Sequence, residues 1–138
     1  MENQLTILSE SLDKKLEVLQ KIREYNKRQE EIFSAEEVDM SLFDDAVEEK
    51  QRLIDEVVHL DEGFEIMYEK LAKELEGNRE RYAAQIRELQ KKVSRVTELS
   101  VTVQAQEARN KKLIENYFAK ERAGIGQRRK NAKSAYDY

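Results

Sequence analysis

His59 is the only histidine in the 138-residue chain, and Glu56-Val57-Val58-His59 sets a carboxylate three residues before it. A Glu and a His one helical turn apart share the metal in di-iron bundles. Those sites need two such motifs and further glutamates from facing helices, which a single histidine cannot supply. There is no cysteine, so thiolate metal sites and a disulfide framework are excluded. No serine lies in a context that would pair it with His59 as a nucleophile. Gly124-Ile125-Gly126 lacks the preceding strand and the following lysine of a phosphate loop. From Glu30 to Glu49 there are nine acids and no base. A cation site is one reading of that cluster, but the glycine of a calcium loop is absent, and acids gather at helix starts because the macrodipole is positive there. Catalytic residues, metal ligands and cofactors are therefore all expected to be none, and the chain is expected not to be an enzyme. Arg128-Arg129-Lys130 could touch nucleic acid or anionic lipid, but the net charge of −4 argues against nucleic acid as the main partner.

The elements behind these residues are helices. Charged residues make up 39% of the chain and aromatic residues 7%, with no proline, no tryptophan and four glycines. A β-rich fold needs turn residues and β-branched or aromatic runs that are scarce here. From Tyr82 the positions Tyr82, Ile86, Leu89, Val93, Val96, Ser100, Val103, Glu107, Asn110, Ile114, Tyr117 and Glu121 keep an unbroken 4-3 spacing. Only a repeat near 3.5 holds one stripe against a neighbour over such a length. Leu5, Leu8, Leu12, Leu19, Ile22 and Phe33 form a similar stripe, with Leu16 and Tyr25 beside it and Lys15, Asn26 and Gln29 interrupting it. A third reads Phe43, Val47, Lys50, Ile54, Val57, Asp61, Phe64, Tyr68, Leu71 and Leu75, widened by Leu53, Leu60 and Met67 as if it met two neighbours. Ser34 to Ser41 separates the first two helices and favours Asp39 as the N-cap. Gly77-Asn78 signals a left-handed cap between the second and third. The expected fold is all-α: three long antiparallel helices in a coiled-coil-like bundle over residues 1–123, with a basic C-terminal overhang or short helix over 124–138. Gly124 and Gly126 are expected to end or bend the third helix.

Charge divides along the chain. Residues 1–76 hold 22 acids and 10 bases, whereas 109–138 hold 3 acids and 9 bases. The N-terminus lacks the basic start and apolar run of a signal sequence, and no stretch approaches the roughly 20 apolar residues of a membrane span. A cytoplasmic protein without membrane insertion is expected.

Counting back from a hairpin at Gly77, Asp39 comes level with residue 115, and the third helix overhangs beyond it. Apolar groups placed there without an obvious neighbour in the chain suggest a partner-binding surface. The candidate segment runs from Asn110 to Tyr138, with Asn110, Leu113, Ile114, Tyr117, Phe118, Ile125 and Tyr136 as the residues that would receive an amphipathic helix.

The leucine ladder from Leu5 to Leu19 resembles a known family. So do Asp39-Met40-Ser41-Leu42 after a short break, Glu49-Lys50 ahead of Leu53-Ile54, Asn110-Lys111-Lys112-Leu113-Ile114, and the terminal Tyr/Ala segment. Together they are similar to the FlgN-like flagellar export chaperone family. The resemblance is diffuse and covers nearly the whole chain. It implies a small antiparallel helical protein that binds hook–filament junction proteins in the cytoplasm through its C-terminal region, for flagellar type III export. The Gly124-x-Gly126 pair departs from it. A coiled-coil scaffold or an export-apparatus stalk-like protein that holds no client is the alternative. Homodimerisation, and contact with the export apparatus, are left open.

Overall fold

The computed structural model describes the backbone of residues 2–136 and the side chains of residues 2–124. Three helices account for nearly all of it: α1 (Glu2–Ser34), α2 (Met40–Gly77) and α3 (Ala83–Tyr136). The chain runs up, down and up, so α2 is antiparallel to α1 and α3 is parallel to α1. Lys92 reaches Asp13, and Asn110 reaches Asn26 further along both helices.

Asp39 caps α2. Its carboxylate accepts from the Ser41 amide at 3.0 Å and from the Ser41 hydroxyl at 2.6 Å, which satisfies donors that the first helical turn leaves open. The other cap differs from the sequence reading. No residue near Gly77 takes a positive φ. Instead Asn78 closes α2 by hydrogen bonding: its amide donates to the Leu75 carbonyl at 3.1 Å and its side chain to the Glu74 carbonyl at 2.9 Å. A turn over Asn78 to Tyr82 then leads into α3. At the far end α3 does not stop at Gly124 or Gly126 but continues to Tyr136. Two glycines cost a helix about 2 kcal/mol against alanine, which is too little to end one this long.

The order of packing also departs from expectation. The sequence pointed to α2 as the helix with two neighbours, but α1 holds that place. Both α2 and α3 pack on α1, while among the described residues no Cα of α2 comes within 8 Å of a Cα of α3. α1 can do this because its apolar arc is wide. Leu5, Leu8, Leu12, Leu19 and Ile22 fill its centre, and Val18, which lies off the stripe, is 0% exposed. The matching seam of α2 is rotated from the one read in the sequence. Ala46, Leu53, Leu71 and Leu75 are buried, with Val57, Leu60, Phe64 and Met67 packed beside them. Tyr82, Leu89, Val96 and Val103 bury one side of the α3 stripe.

A polar layer crosses the upper bundle. Asn26, Gln29 and Asn110 are buried on the heptad stripes. The Asn110 side chain donates to the Asn26 backbone carbonyl at 2.8 Å, and Lys50 donates to Gln29 at 3.1 Å and to Glu107 at 2.8 Å. A polar group at a seam position specifies one register at a cost in stability. Here the cost is visible, since Asn26 Oδ1 is buried without a partner.

Candidate partner-binding surface

The upper end of the bundle closes with aromatic rings. Phe33 of α1 meets Phe43 of α2 edge-on, with centroids 4.9 Å apart, and meets Tyr117 of α3 at 5.5 Å. Tyr117 in turn touches Phe118 at 5.4 Å. Such pairs contribute beyond the area they bury. Tyr117 therefore has intrachain neighbours and belongs partly to the bundle. Asn110 is buried in the polar layer, so its carboxamide serves the α1 seam rather than an outside partner. Leu113 and Ile114 are half-buried, and Phe118 remains 40% exposed. Of the seven residues read from the sequence, Ile125 and Tyr136 lie in α3, with side chains outside the described residues.

Residues 119–123 are all exposed, and the helix continues to Tyr136, about 27 Å further at 1.5 Å per residue. A lone helix in water keeps its shape poorly without an amphipathic face laid on something. This overhang is also basic, with Lys120, Arg122, Arg128, Arg129, Lys130 and Lys133 against Glu121 and Asp137.

A second feature was not read from the sequence. Because α2 and α3 splay apart on α1, a groove runs between them. Near the α2–α3 turn it holds about 1000 Å³ between Phe64, Tyr68 and Ala72 on one wall and Ile86, Gln90 and Val93 on the other. It narrows over Lys15, Asp61 and Thr97, where Lys15 and Asp61 pair at 2.5 Å. It widens again to about 540 Å³ between Phe43 and Val47 of α2 and Ala108 and Ile114 of α3. The Lys50–Glu107 pair, 2.7 Å apart, bridges the walls there. The signal was present in the heptads. Val47 and Tyr68 on the α2 stripe, and Val93 on the α3 stripe, are seam positions by spacing yet are 41%, 49% and 43% exposed.

On the other side of α2, a cleft of about 700 Å³ is lined by Tyr25, Arg28, Ile32, Leu42, Asp45 and Glu49. The acids counted there in the sequence gather at the α2 start. Hydrogen bonds from the Ser41 hydroxyl and amide hold Asp39 below its ordinary carboxylate range, against a small opposing effect of desolvation. Among the described residues no group of three His, Cys, Asp or Glu side chains could hold a metal ion. His59 is exposed, and Glu56 points to Lys14 at 3.8 Å. Among the described residues no helix is long and apolar enough to cross a membrane.

No protein family, curated protein or solved structure matches the chain.

Proposed function

We propose that this protein is a cytoplasmic export chaperone that holds a helix of a secreted flagellar junction protein until type III export. The observation that carries the reading is the upper part of α3. It runs on past Phe118 to Tyr136, its residues 119–123 are all exposed, and it is basic where the protein as a whole is acidic. An amphipathic client helix laid along it would bury its apolar side, and the bases would serve orientation and on-rate more than affinity. The resemblance to FlgN-like chaperones supplies the identity of the client, a hook–filament junction protein engaged through its C-terminal helix.

Calorimetric titration of a junction-protein C-terminal peptide into the full chain and into a chain ending at Phe118 tests this. The cut falls after Phe118 because Tyr117 helps close the bundle over Phe33. The expected result is loss of most affinity on truncation with a nearly unchanged thermal melt. Equal affinity for both forms would remove the client from this segment. Absence of binding to either would favour the scaffold or stalk-like reading.

A further inference from the structure

The lower groove between α2 and α3 is a separate surface from the α3 overhang, and its chemistry is specific. Phe64 and Tyr68 stack at 6.1 Å on the α2 wall, with Tyr68 half exposed, and Ile86 and Val93 face them from α3. Heptad positions on two helices are left uncovered while α1 forms the floor. Two helices on one floor with an open slot between them is a four-helix arrangement short of one member. From Ala83 to Thr97 the slot runs about 21 Å, four helical turns.

Charge narrows the choice of occupant. The floor is electrically closed, since Lys15 and Asp61 pair with one another. Glu65 and Glu69 stand on the outer edge of the α2 wall, each three residues from a groove-lining side chain, Tyr68 or Ala72. Neither is in an ion pair with another described residue. On the opposing edge of α3, Gln90 and Ser94 line the groove with Thr97 above them, Arg87 lines it nearer the turn, and Lys91 beside it pairs with Glu88. At the end by the α2–α3 turn, Arg79 and Arg87 line the groove together with one acid, Glu76, which leaves that end net positive.

We infer that this groove docks an amphipathic helix of about four turns, donated by a partner protein, whose flank over α2 carries lysines or arginines. The inference rests on the helix-holding function proposed above and adds a second point of engagement. The occupant's apolar stripe covers Tyr68, Val93 and Ile86. Its basic flank meets Glu65 and Glu69, and its other flank lies on Gln90, Ser94 and Thr97 of α3. Its C-terminus, the negative end of the helix dipole, points at Arg79 and Arg87.

The probe is a synthetic helix of roughly 15 residues with leucines at heptad spacing, lysines on one flank and glutamines on the other. It is titrated into the full chain by fluorescence anisotropy. The expected result is saturable binding that weakens at least about tenfold when the lysines become glutamates, and a few-fold when the C-terminal carboxylate is amidated. The double variant Tyr68→Ala, Val93→Asp is expected to weaken it at least about tenfold; both side chains are about half exposed, and circular dichroism checks that the variant stays folded. Binding indifferent to flank charge or to the double variant would overturn the proposal. So would sedimentation showing a dimer that the double variant dissociates, since a second copy would then fill the groove. Truncation after Phe118 separates the two readings. It leaves the probe's binding intact if the groove is the site, whereas it removes junction-peptide binding if only the overhang is.

Discussion

Leu8→Ala, set beside Leu89→Ala, Ile54→Ala and His59→Ala, measures the register of the whole bundle. Leu8 is 1% exposed and sits in the α1 arc that both other helices cover. Truncation to alanine removes three carbon groups, about 2.4 kcal/mol at about 0.8 each. The cavity left behind brings the expected loss to about 3 kcal/mol, since α1 is held from two sides and cannot easily collapse into the void. Leu89 is buried too but lies at the edge of the groove between α2 and α3. Water can enter the space it leaves, so little cavity cost is added, and about 2 kcal/mol is expected. Ile54 sits on the heptad stripe yet is only half-buried and is packed against the core from its margin. It should cost about 1 kcal/mol, less than its place in the sequence pattern suggests. His59 is exposed and should fall within about 0.5 kcal/mol of wild type. Urea melts followed by far-ultraviolet circular dichroism give the four values. A ranking with Ile54 above Leu8, or His59 above Leu89, would refute the rotated α2 seam and the central position of α1.

Asn110→Ala should cost about 1–3 kcal/mol, because it removes the buried amide that donates to the Asn26 carbonyl and leaves Gln29 with Lys50 as its one donor; a neutral result in the same urea melts would mean the polar layer does not hold the register. Gly63→Ala should stabilise by about 0.5–1 kcal/mol, since an added Cβ meets nothing within 4 Å and the helix gains propensity; destabilisation would show that a close approach at Gly63 has been missed. Asp39 has a lowered folded-state pKa, so the stability it adds is present above its unfolded value and is lost as pH falls through the folded value. Asp39→Ala should therefore lower the melting temperature at neutral pH and less so in acid, and an equal shift at both would assign the effect to something other than the cap.

The long elements were legible because each obeys one local rule. The 4-3 spacing of α3, the leucines of α1 and Asp39 ahead of α2 each carry their own physical reason. The arrangement of those elements was less legible. A heptad stripe says that a helix has neighbours but not how many or on which side. Val47, Asp61 and Tyr68 share the α2 stripe with Leu71 and Leu75, yet only the latter two are buried. Val18 gave no sign because it stands one position off the α1 stripe, in the row Ser11, Val18, Tyr25 and Ile32, where polar and aromatic neighbours hide it. Counting residues from the hairpin put the start of the overhang near residue 115, and the Phe33–Tyr117 contact moves it only to Phe118. The same counting could not show that Tyr117 and Asn110 face inward, because a helix's rotation about its own axis is set by its partners. The glycine pair at the end of α3 misled for a related reason: propensity costs of this size decide short helices and not long ones.

Hydrogen exchange along α3, with and without a junction-protein C-terminal peptide, tests the central claim most directly. In the free protein, amides around Val96 and Val103, in the α1 seam, should exchange slowly, and those from Ala119 to Tyr136 fast, since the overhang begins with the exposed residues 119–123. With the peptide, protection should rise selectively beyond Phe118. Strong protection of that stretch in the free protein, or none gained at a saturating peptide concentration, would contradict the claim that the end of α3 is where this chain holds its client.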